Sequence, residues 1–426
     1  MVNFVKILLT GLIGSFFLFP FNIPFLSDVN TKMVLAVFGL FIFFYDLIRN
    51  PNKSVSKDFF ILSLIAISIS IWALVSVIFN HTQDYAYTSY IMSLWVWLGG
   101  AFFVISCIRQ THGEVTVELV GNYLIGVCVF QCILAYLMTL SPSLLNFVNS
   151  LMGESAAFMG QSENRLYGLG AALDPAGLRF AAILIITCYL AFKSAQKEEL
   201  GKLTLYLTAV IIITVIGNMI SRSSIVGIIL GLLLILWMLV FNRDRKSFNP
   251  KPFLIVLFLA LAAIFICVFF YQTNLGFRSN LRFGFEGFFS LVEKGRWEVR
   301  SNEILKNMVV WPKTLKTWII GDGYAINPAG DPNFLGEVTG GFYMGTDIGY
   351  LRYIFYFGIP GLIMMSSIFV YSTIICINRL RKYSILFFFL LLANFIGWFK
   401  VTSDIFMVFA PFLCMAFLQE KSRETC

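Results

Sequence analysis

Residues 203–241 read "LTLYLTAVIIITVIGNMISRSSIVGIILGLLLILWMLVF" and carry one charged side chain, that of Arg222. Two predominantly apolar runs, 203–220 and 224–241, flank a turn of at most four residues. A helix needs about 20 such residues, within a range of roughly 17–25, to cross the hydrocarbon core of a bilayer. The stretch therefore predicts a pair of membrane-spanning helices joined by a tight turn that contains an arginine.

The rest of the chain has the same character. Of its 426 residues, 58% are hydrophobic and 13% are charged, and the mean hydropathy is +0.82. Ordinary soluble domains are about 25% charged, so the composition excludes a soluble globular domain. We expect an all-α polytopic membrane protein, a single integral membrane domain over 1–426, with about 12 transmembrane helices. The candidate spans are 4–20, 32–48, 59–79, 89–107, 116–140, 176–192, 203–220, 224–241, 252–271, 354–378, 384–399 and 405–418.

Lysine and arginine residues indicate the orientation, because they favour the cytoplasmic loops of membrane proteins. With the N-terminus placed inside, seventeen of them fall on the cytoplasmic side and five in the short and medium outer loops. The remaining nine lie in or beside one long outer loop, where the rule has little force. We therefore expect both termini in the cytoplasm.

Two predicted outer loops are long, at 141–175 and 272–350. Loops of this length are usually either functional or disordered, and the aromatic residues of the second loop favour a folded one. These aromatic residues are Trp297, Trp311, Trp318, Tyr324 and Tyr343. Within that loop, residues 299–308 have apolar side chains at helical spacing before Pro312. This pattern predicts an amphipathic helix on the outer membrane surface.

Arginines cluster where the predicted outer loops meet the spans. They are Arg165, Arg179, Arg222, Arg278, Arg282, Arg296, Arg300 and Arg352. The planar guanidinium group suits bidentate phosphate binding and does not deprotonate. The alternative for each is interfacial snorkelling or an ion pair. Arg222 is the exception, because a tight turn needs no arginine and no acidic residue is close to it in sequence. Beyond it, Gly227 and Gly231 form GxxxG, which predicts close helix packing.

Asp347 is the acidic residue that we single out, because it precedes the apolar run in "GTDIGYLRYIFYFGIPG", residues 345–361. One interpretation is that it caps the following helix. The other is a carboxylate at the membrane surface that accepts a proton from a hydroxyl nucleophile. Arg352, five residues later, would lie about 140° around an ideal helix from Asp347, so the two need not pair.

Four stretches together resemble the O-antigen ligase and O-antigen polymerase superfamily of bacterial inner-membrane proteins. "MISRSS" at 219–224 is similar to the family's Ser-Arg pair between adjacent helices, and "NRLYGLGAALDPAG" at 164–177 to its Arg, Gly and Asp-Pro ahead of a helix. "KGRWEVRSNEILKNMVVWP" at 294–312, followed by "IIGDGY" at 319–324, resembles its Gly-Arg, helix, Pro and Gly-x-Gly pattern.

The fourth stretch, "DIGYLRYIFYFGIPGLI", resembles the family's signature of a polar residue, ten intervening residues and Gly-x-x-Gly. Here these are Asp347, then Gly358 and Gly361. In the ligases the polar residue is typically a histidine, so an aspartate favours the polymerase branch. Together the four stretches cover positions from about 165 to 361.

The resemblance implies a polysaccharide polymerase, for O-antigen or capsule, at the periplasmic face of the bacterial inner membrane, with 141–175 and 272–350 as periplasmic loops. It would join oligosaccharide repeat units carried on undecaprenyl diphosphate. A sugar hydroxyl would attack an anomeric carbon, and the lipid diphosphate would leave. Preorganised arginines would stabilise the charge that develops on the leaving group.

The roles that follow from this reaction fall on a small set of residues. The catalytic candidates are Asp347, as the base, with Arg222 and Arg296 at the diphosphate. The candidates for diphosphate or sugar binding are Arg165, Arg179, Arg300, Arg352, Trp297 and Tyr324. We expect no metal and no other cofactor, since the outer loops show no DxD-like pair and no His/carboxylate cluster.

Two other functions remain open: an O-antigen ligase that transfers chains to lipid A-core, and a flippase for lipid-linked oligosaccharide. The absence of the histidine argues against the first. Against the second, the spans are almost free of charge, whereas a flippase is expected to bury charged residues along its helices. The expected partners are the lipid-linked oligosaccharide and membrane lipid, and the resemblance alone implies a chain-length regulator. No nucleic-acid partner is expected.

Overall fold

The computed structural model describes residues 2–24, 26, 29–49, 55–153, 155–156, 165–241, 250–332, 334, 336 and 341–418. These residues form helices and connecting segments, and no strand occurs among them. In chain order the α-helices are α1 Val2–Leu18, α2 Thr31–Arg49, α3 Lys57–Asn80, α4 Tyr90–His112, α5 Val117–Leu140, α6 Pro142–Met152, α7 Leu173–Gln196, α8 Leu200–Ile220, α9 Ile225–Phe241, α10 Pro250–Thr273, α11 Leu275–Gly284, α12 Glu286–Lys294, α13 Arg300–Asn307, α14 Leu315–Ile319, α15 Gly349–Arg379, α16 Ser384–Gly397 and α17 Phe406–Leu418.

Nine helices in these described ranges are long and apolar enough to cross a membrane. They are α2 to α5, α7, α8, Arg222–Phe241, Leu254–Thr273 and α15. The chain is therefore a helical multi-pass membrane protein, as the composition predicted. The predicted spans 4–20, 384–399 and 405–418 correspond to helices of 17, 14 and 13 residues. Whether these three cross the membrane stays a prediction.

The predicted orientation rests partly on basic residues that lie outside the described part of the chain. They are Lys53, Arg243, Arg245, Lys246, Lys421 and Arg423. Residues 154 and 157–164 of the first predicted loop also lie outside it. The placement of both termini in the cytoplasm stays a prediction.

The chain divides into two compact units, and each is described by itself. Unit 1 consists of Met1–Leu35, Phe103–Trp297 and Ile385–Ala393. Unit 2 consists of Ala36–Phe102, Glu298–Ser384 and Asn394–Cys426. The arginine turn after α8 belongs to unit 1, and the segment around Asp347 belongs to unit 2.

Helix α7 is the centre of unit 1 and packs against α8 and α9. Two glycines bring α9 close to it. A Cβ atom on Gly227 would lie 2.3 Å from the carbonyl oxygen of Ala181, and one on Gly231 would lie 2.7 Å from Cys188 Sγ. The close helix packing predicted from the GxxxG spacing is confirmed.

Helix α15 is the centre of unit 2, where it packs against α3, α14 and α17. It is broken at Phe357 and Gly358, whose backbone angles are not helical. Gly358 has φ +71°, a conformation that glycine adopts without the steric cost that a Cβ atom brings. The segment after α14 lies against this break, because the Asp322 amide donates to the carbonyl oxygen of Phe355 at 2.6 Å.

The second predicted loop contains several short helices, α11 to α14. A helix is present where the amphipathic one was predicted, but α13 has only eight residues and ends before Pro312. Val299 at its N-cap is buried, whereas Ile304 is 45% exposed. Its position on a membrane surface stays a prediction.

Candidate functional site

The arginine turn of unit 1 is held by serine hydroxyls. Arg222–Ser224 form a single 3-10 turn between α8 and α9, and Ser221 at the end of α8 accepts the Ser223 amide at 3.4 Å. Ser224 Oγ contacts the Ser221 carbonyl oxygen at 2.7 Å and Asn218 Oδ1 at 3.1 Å. Serine favours such turns because its hydroxyl can bond to nearby backbone groups. The turn that the sequence predicted is therefore present and rigidly bonded.

Arg222 points into this turn region with its side chain only 19% exposed. Its Nε donates to the carbonyl oxygen of Phe283 at 2.9 Å, and its Nη1 lies 2.6 Å from Glu286 Oε2. The guanidinium carbon sits 4.1 Å from the centre of the Phe283 ring. No acidic residue is close to Arg222 in sequence, and its ionic partner Glu286 comes from α12, far along the chain.

Arg165 approaches the same aromatic ring. Its guanidinium carbon lies 5.0 Å from the centre of the Phe283 ring. The guanidinium carbon of Arg222 lies 4.1 Å from the same ring centre. The two guanidinium carbons are therefore at most 9.1 Å apart. The segment is fixed there by the Leu166 amide, which donates to the Met219 carbonyl oxygen at 3.1 Å. Two guanidinium groups on one ring make this region attractive to an anion, and the Glu286 carboxylate already lies 2.6 Å from Arg222 Nη1.

Asp174 is the residue of this site that the sequence did not single out. Its Oδ1 accepts hydrogen bonds from Ser221 Oγ at 3.0 Å and from Ser223 Oγ. Gly177 allows this approach, since a Cβ atom there would lie 2.4 Å from Ser221 Oγ. The available signal was the Asp-Pro pair at the start of α7, which the resemblance had already marked. Asp174 fixes the serines on both sides of Arg222.

Replacing Asp174 by alanine is expected to lower the thermal stability of the protein. Ser221 is 1% exposed and Ser223 is 7% exposed, and both hydroxyls would lose this acceptor. A buried donor left unsatisfied costs about 1–3 kcal/mol. Asp174→Asn keeps an amide oxygen that accepts, so it should cost less. Thermal unfolding of both variants in detergent measures the effect, and an Asp174→Ala protein as stable as the wild type would contradict it.

The remaining predicted residues of unit 1 lie in other surroundings. Arg179 Nη1 donates to the carbonyl oxygen of Leu18 at 2.7 Å, at the end of α1. Arg296 is exposed, and Trp297 is 51% exposed with its ring 5.1 Å from that of Phe288. Arg165 and Arg222 thus lie against one ring, that of Phe283. Arg179 instead bonds to a carbonyl oxygen at the end of α1.

In unit 2, Asp347 does not cap the helix that follows it. The N-cap residue of α15 is Ile348, which makes no side-chain capping hydrogen bond. Arg352 Nη1 lies 3.7 Å from Asp347 Oδ1, so the expectation that the two residues need not pair is corrected. The reason is that Asp347 precedes the helix, where the angle of an ideal helix does not apply.

Arg352 is firmly placed, with its side chain 10% exposed. Its Nη1 donates to Thr402 Oγ1 at 3.0 Å and its Nη2 to the carbonyl oxygen of Ala325 at 3.3 Å. The guanidinium carbon lies 3.5 Å from the centre of the Phe342 ring. Asp347, 30% exposed, remains the more accessible partner. Arg300, the other predicted arginine of this unit, is exposed at the start of α13.

Tyr324 is buried, at 7% exposure. Its hydroxyl donates to Asp331 Oδ2 at 3.1 Å. Burial, together with the hydrogen bond to Asp331, raises the pKa of Tyr324 to about 12. Burial and the nearby Asp322 carboxylate raise the pKa of Tyr343 in the same way. The ring of Tyr324 packs against Phe334 and Tyr343 and so belongs to the core of this unit.

The exposed aromatic rings are different ones. Trp311 is 62% exposed and stacks on Trp318, with ring centres 6.2 Å apart and an interplanar angle of 20°. Apolar faces of this kind suit the apolar face of a sugar ring. Across the part of the chain that the structure describes, no group of three or more His, Cys, Asp or Glu side chains could hold a metal ion.

Comparison with models of known protein families, with characterised proteins and with solved structures gave no match. The class that fold and sequence define is a helical multi-pass membrane protein.

Proposed function

We propose that the protein is a polysaccharide polymerase that joins oligosaccharide units carried on undecaprenyl diphosphate. The observation that supports this most is the pair of arginines, Arg165 and Arg222, on the Phe283 ring at the end of a membrane-spanning segment. A lipid diphosphate carries its phosphates at the end of its lipid chain, and this turn begins a helix long and apolar enough to cross a membrane. Glycosyl transfer from such a donor needs no nucleotide sugar.

The proposed chemistry assigns the arginines to the leaving group. When the anomeric C–O bond breaks, negative charge develops on the bridging oxygen of the lipid diphosphate. Guanidinium groups held in place beforehand stabilise that charge with little reorganisation. Asp174 contributes indirectly, because it fixes Ser221 and Ser223 on either side of Arg222. It is a positioning residue.

Asp347 is the proposed base. It would accept the proton of the sugar hydroxyl while that oxygen forms the new bond to the anomeric carbon. Its 30% exposure leaves it accessible. The ligase alternative is less favoured, because the ligases typically have a histidine at the position that Asp347 occupies here.

Deletion of the gene in the source bacterium tests the proposal. Surface polysaccharide separated on a gel should lose its ladder and keep single repeat units on an otherwise normal core, and the wild-type gene should restore the ladder. Long lipid-linked chains that accumulate while the core stays uncapped would indicate a ligase instead. Lipid-linked single units that accumulate on the cytoplasmic side would indicate a flippase.

A further inference from the structure

Helix α14 and the tryptophan that precedes it present an apolar surface in unit 2. Leu315 is 74% exposed, and Ile319, one helical turn later, is 47% exposed. Trp311 is 62% exposed, and its ring stacks on that of Trp318. We call these four side chains the α14 patch. An apolar surface that stays exposed in the folded chain is typical of a site that meets a partner or a membrane.

The polar groups of the same segment are already bonded within the protein. Lys316 Nζ lies 2.6 Å from Asp322 Oδ1 and donates to Asn80 Oδ1 at 2.7 Å. The buried Thr317 hydroxyl also donates to Asp322, at 2.9 Å, and Trp318 Nε1 donates to a backbone carbonyl oxygen at 3.2 Å. A sugar would need hydrogen-bonding side chains beside the rings, because a hydroxyl group that is buried without a partner is costly. A partner made of hydrocarbon fits the α14 patch better.

The backbone of α14 lies directly against the break in α15. A Cβ atom on Gly358 would lie 2.3 Å from the carbonyl oxygen of Ile319. At the same break, Trp72 of α3 donates from its Nε1 to the carbonyl oxygen of Phe357 at 2.8 Å. Since Phe357 and Gly358 are consecutive residues, Ile319 and Trp72 contact the same point of α15. The depth of Trp72 in the membrane therefore gives the depth of the α14 patch.

The position of Trp72 along α3 places this point within the bilayer. Helix α3 has 24 residues and spans about 36 Å, which is about 6 Å more than the hydrocarbon core. Trp72 lies eight residues, or about 12 Å, before Asn80 at the end of the helix. Because α3 is long and apolar enough to cross a membrane, Trp72 lies inside the core even when the whole excess projects from its own end.

The exposed apolar side chains of the two helices agree with this depth. On α3 they continue beyond Trp72, with Ile78 at 62% and Phe79 at 54% exposure. On α15 they begin directly after Gly358, with Ile359 at 41% exposure. The surface around the α14 patch is thus the apolar surface of membrane-spanning helices.

We propose that the α14 patch is inserted among the acyl chains of the bilayer and anchors this part of the 272–350 loop in the membrane. Tryptophan favours the boundary between hydrocarbon and headgroups, and Trp311 is the exposed member of the stacked pair. Lys316 extends to Asn80 at the end of α3, which is the direction in which a lysine near the membrane boundary keeps its charge close to water. The occupant is lipid hydrocarbon, and the inference does not rest on the proposed reaction.

Cysteine accessibility tests the insertion with the full chain in phosphatidylcholine nanodiscs, whose two faces are both open to solvent. Leu315→Cys is treated with a sulfonated maleimide that does not enter a bilayer, and peptide mass spectrometry measures the labelled fraction at residue 315. Ile326→Cys is the matched control, because Ile326 is 59% exposed and its amide donates to Asp84 Oδ2 at 3.2 Å. Leu315→Cys should react at least about tenfold more slowly, since the reactive thiolate and the charged reagent are both excluded from hydrocarbon.

Two further variants and a lipid probe complete the test. Ile363→Cys on α15 gives the rate for a side chain surrounded by lipid, to which Leu315→Cys should be closer than to Ile326→Cys. Ile319→Cys replaces Leu315→Cys if that protein does not elute as a single species. A phosphatidylcholine with a diazirine on its acyl chain should crosslink to residues 311–319 of the wild type.

Reaction of Leu315→Cys at the rate of Ile326→Cys would overturn the proposal and would identify the α14 patch as a surface that faces water, open to a sugar. The absence of a crosslink at 311–319, in a sample where the same lipid labels α15 around Ile363, would also overturn it.

Discussion

Gly358→Ala is expected to abolish the cooperative folding of unit 2. Gly358 has φ +71° and ψ −174°, a region of backbone space that is essentially restricted to glycine. A Cβ atom there would lie 2.3 Å from the carbonyl oxygen of Ile319 and 2.5 Å from its carbonyl carbon. Both are backbone atoms, so no side chain can rotate away to relieve the contact.

The contact of a new Cβ atom with Ile319 is costly because hydrogen bonds hold the backbone on both sides of the break in α15. Pro360 has no amide hydrogen to offer the preceding turn, so carbonyl oxygens at the break need other donors. Trp72 Nε1 donates to the Phe357 carbonyl oxygen at 2.8 Å, and Ser76 Oγ donates to that of Tyr356 at 2.6 Å. The Gly323 amide also donates to the Tyr356 oxygen, at 3.1 Å. Moving the chain away from a new Cβ atom would break these bonds.

Thermal unfolding in detergent, with Gly341→Ala as the matched control, measures the effect. Gly341 also has a positive φ, +75°, but a Cβ atom there meets nothing within 4 Å. Gly341→Ala should therefore cost only the backbone term of about 1–2 kcal/mol. We expect Gly358→Ala to give no folded protein or a far lower melting temperature. Equal melting temperatures for the two variants would contradict the described junction.

Arg222→Ala is expected to remove polymer synthesis, with a rate loss of about 10²–10³-fold, as for the removal of other preorganised transition-state donors. Arg222→Lys keeps the charge but not the planar fork, so it should restore only part of the rate. The readout is the chain-length distribution of surface polysaccharide in the deletion strain, with protein level measured in the same cells.

Glu286→Gln separates this role from a purely structural one. If Arg222 serves only to pair with Glu286, Arg222→Ala and Glu286→Gln should lower the protein level and the amount of polymer to the same extent. If Arg222 binds the diphosphate, Glu286→Gln should keep the ladder. Arg282→Ala is a second control, because Arg282 contacts Glu293 with both distances at 2.7 Å and is 38% exposed. It removes a similar ion pair without touching the turn.

Hydropathy alone predicted the fold class and much of the helix pattern. The spans at 203–220 and 224–241, with the turn between them, agree with α8 and α9. The GxxxG spacing in α9 predicted the close packing of this helix, which the structure shows against α7. These features are local, since a run of apolar residues and a small-residue spacing each need only neighbouring positions in the chain.

The contacts of the candidate site could not be predicted in this way. Glu286 reaches Arg222, and Asp174 reaches Ser221, across long stretches of sequence. No spacing rule identifies such partners, because tertiary packing brings them together. Asp347 is not the N-cap residue for a local reason, since α15 begins one residue later than a cap at that position requires.

The proposed function is tested most directly with the purified protein in vesicles, supplied with undecaprenyl-diphosphate-linked repeat units as the sole sugar source. A polymerase should release undecaprenyl diphosphate and produce a ladder of lipid-linked chains that lengthen by whole repeat units. Products that stay at one repeat unit under conditions where the protein is folded, or transfer of the intact unit across the bilayer without a new glycosidic bond, would contradict it.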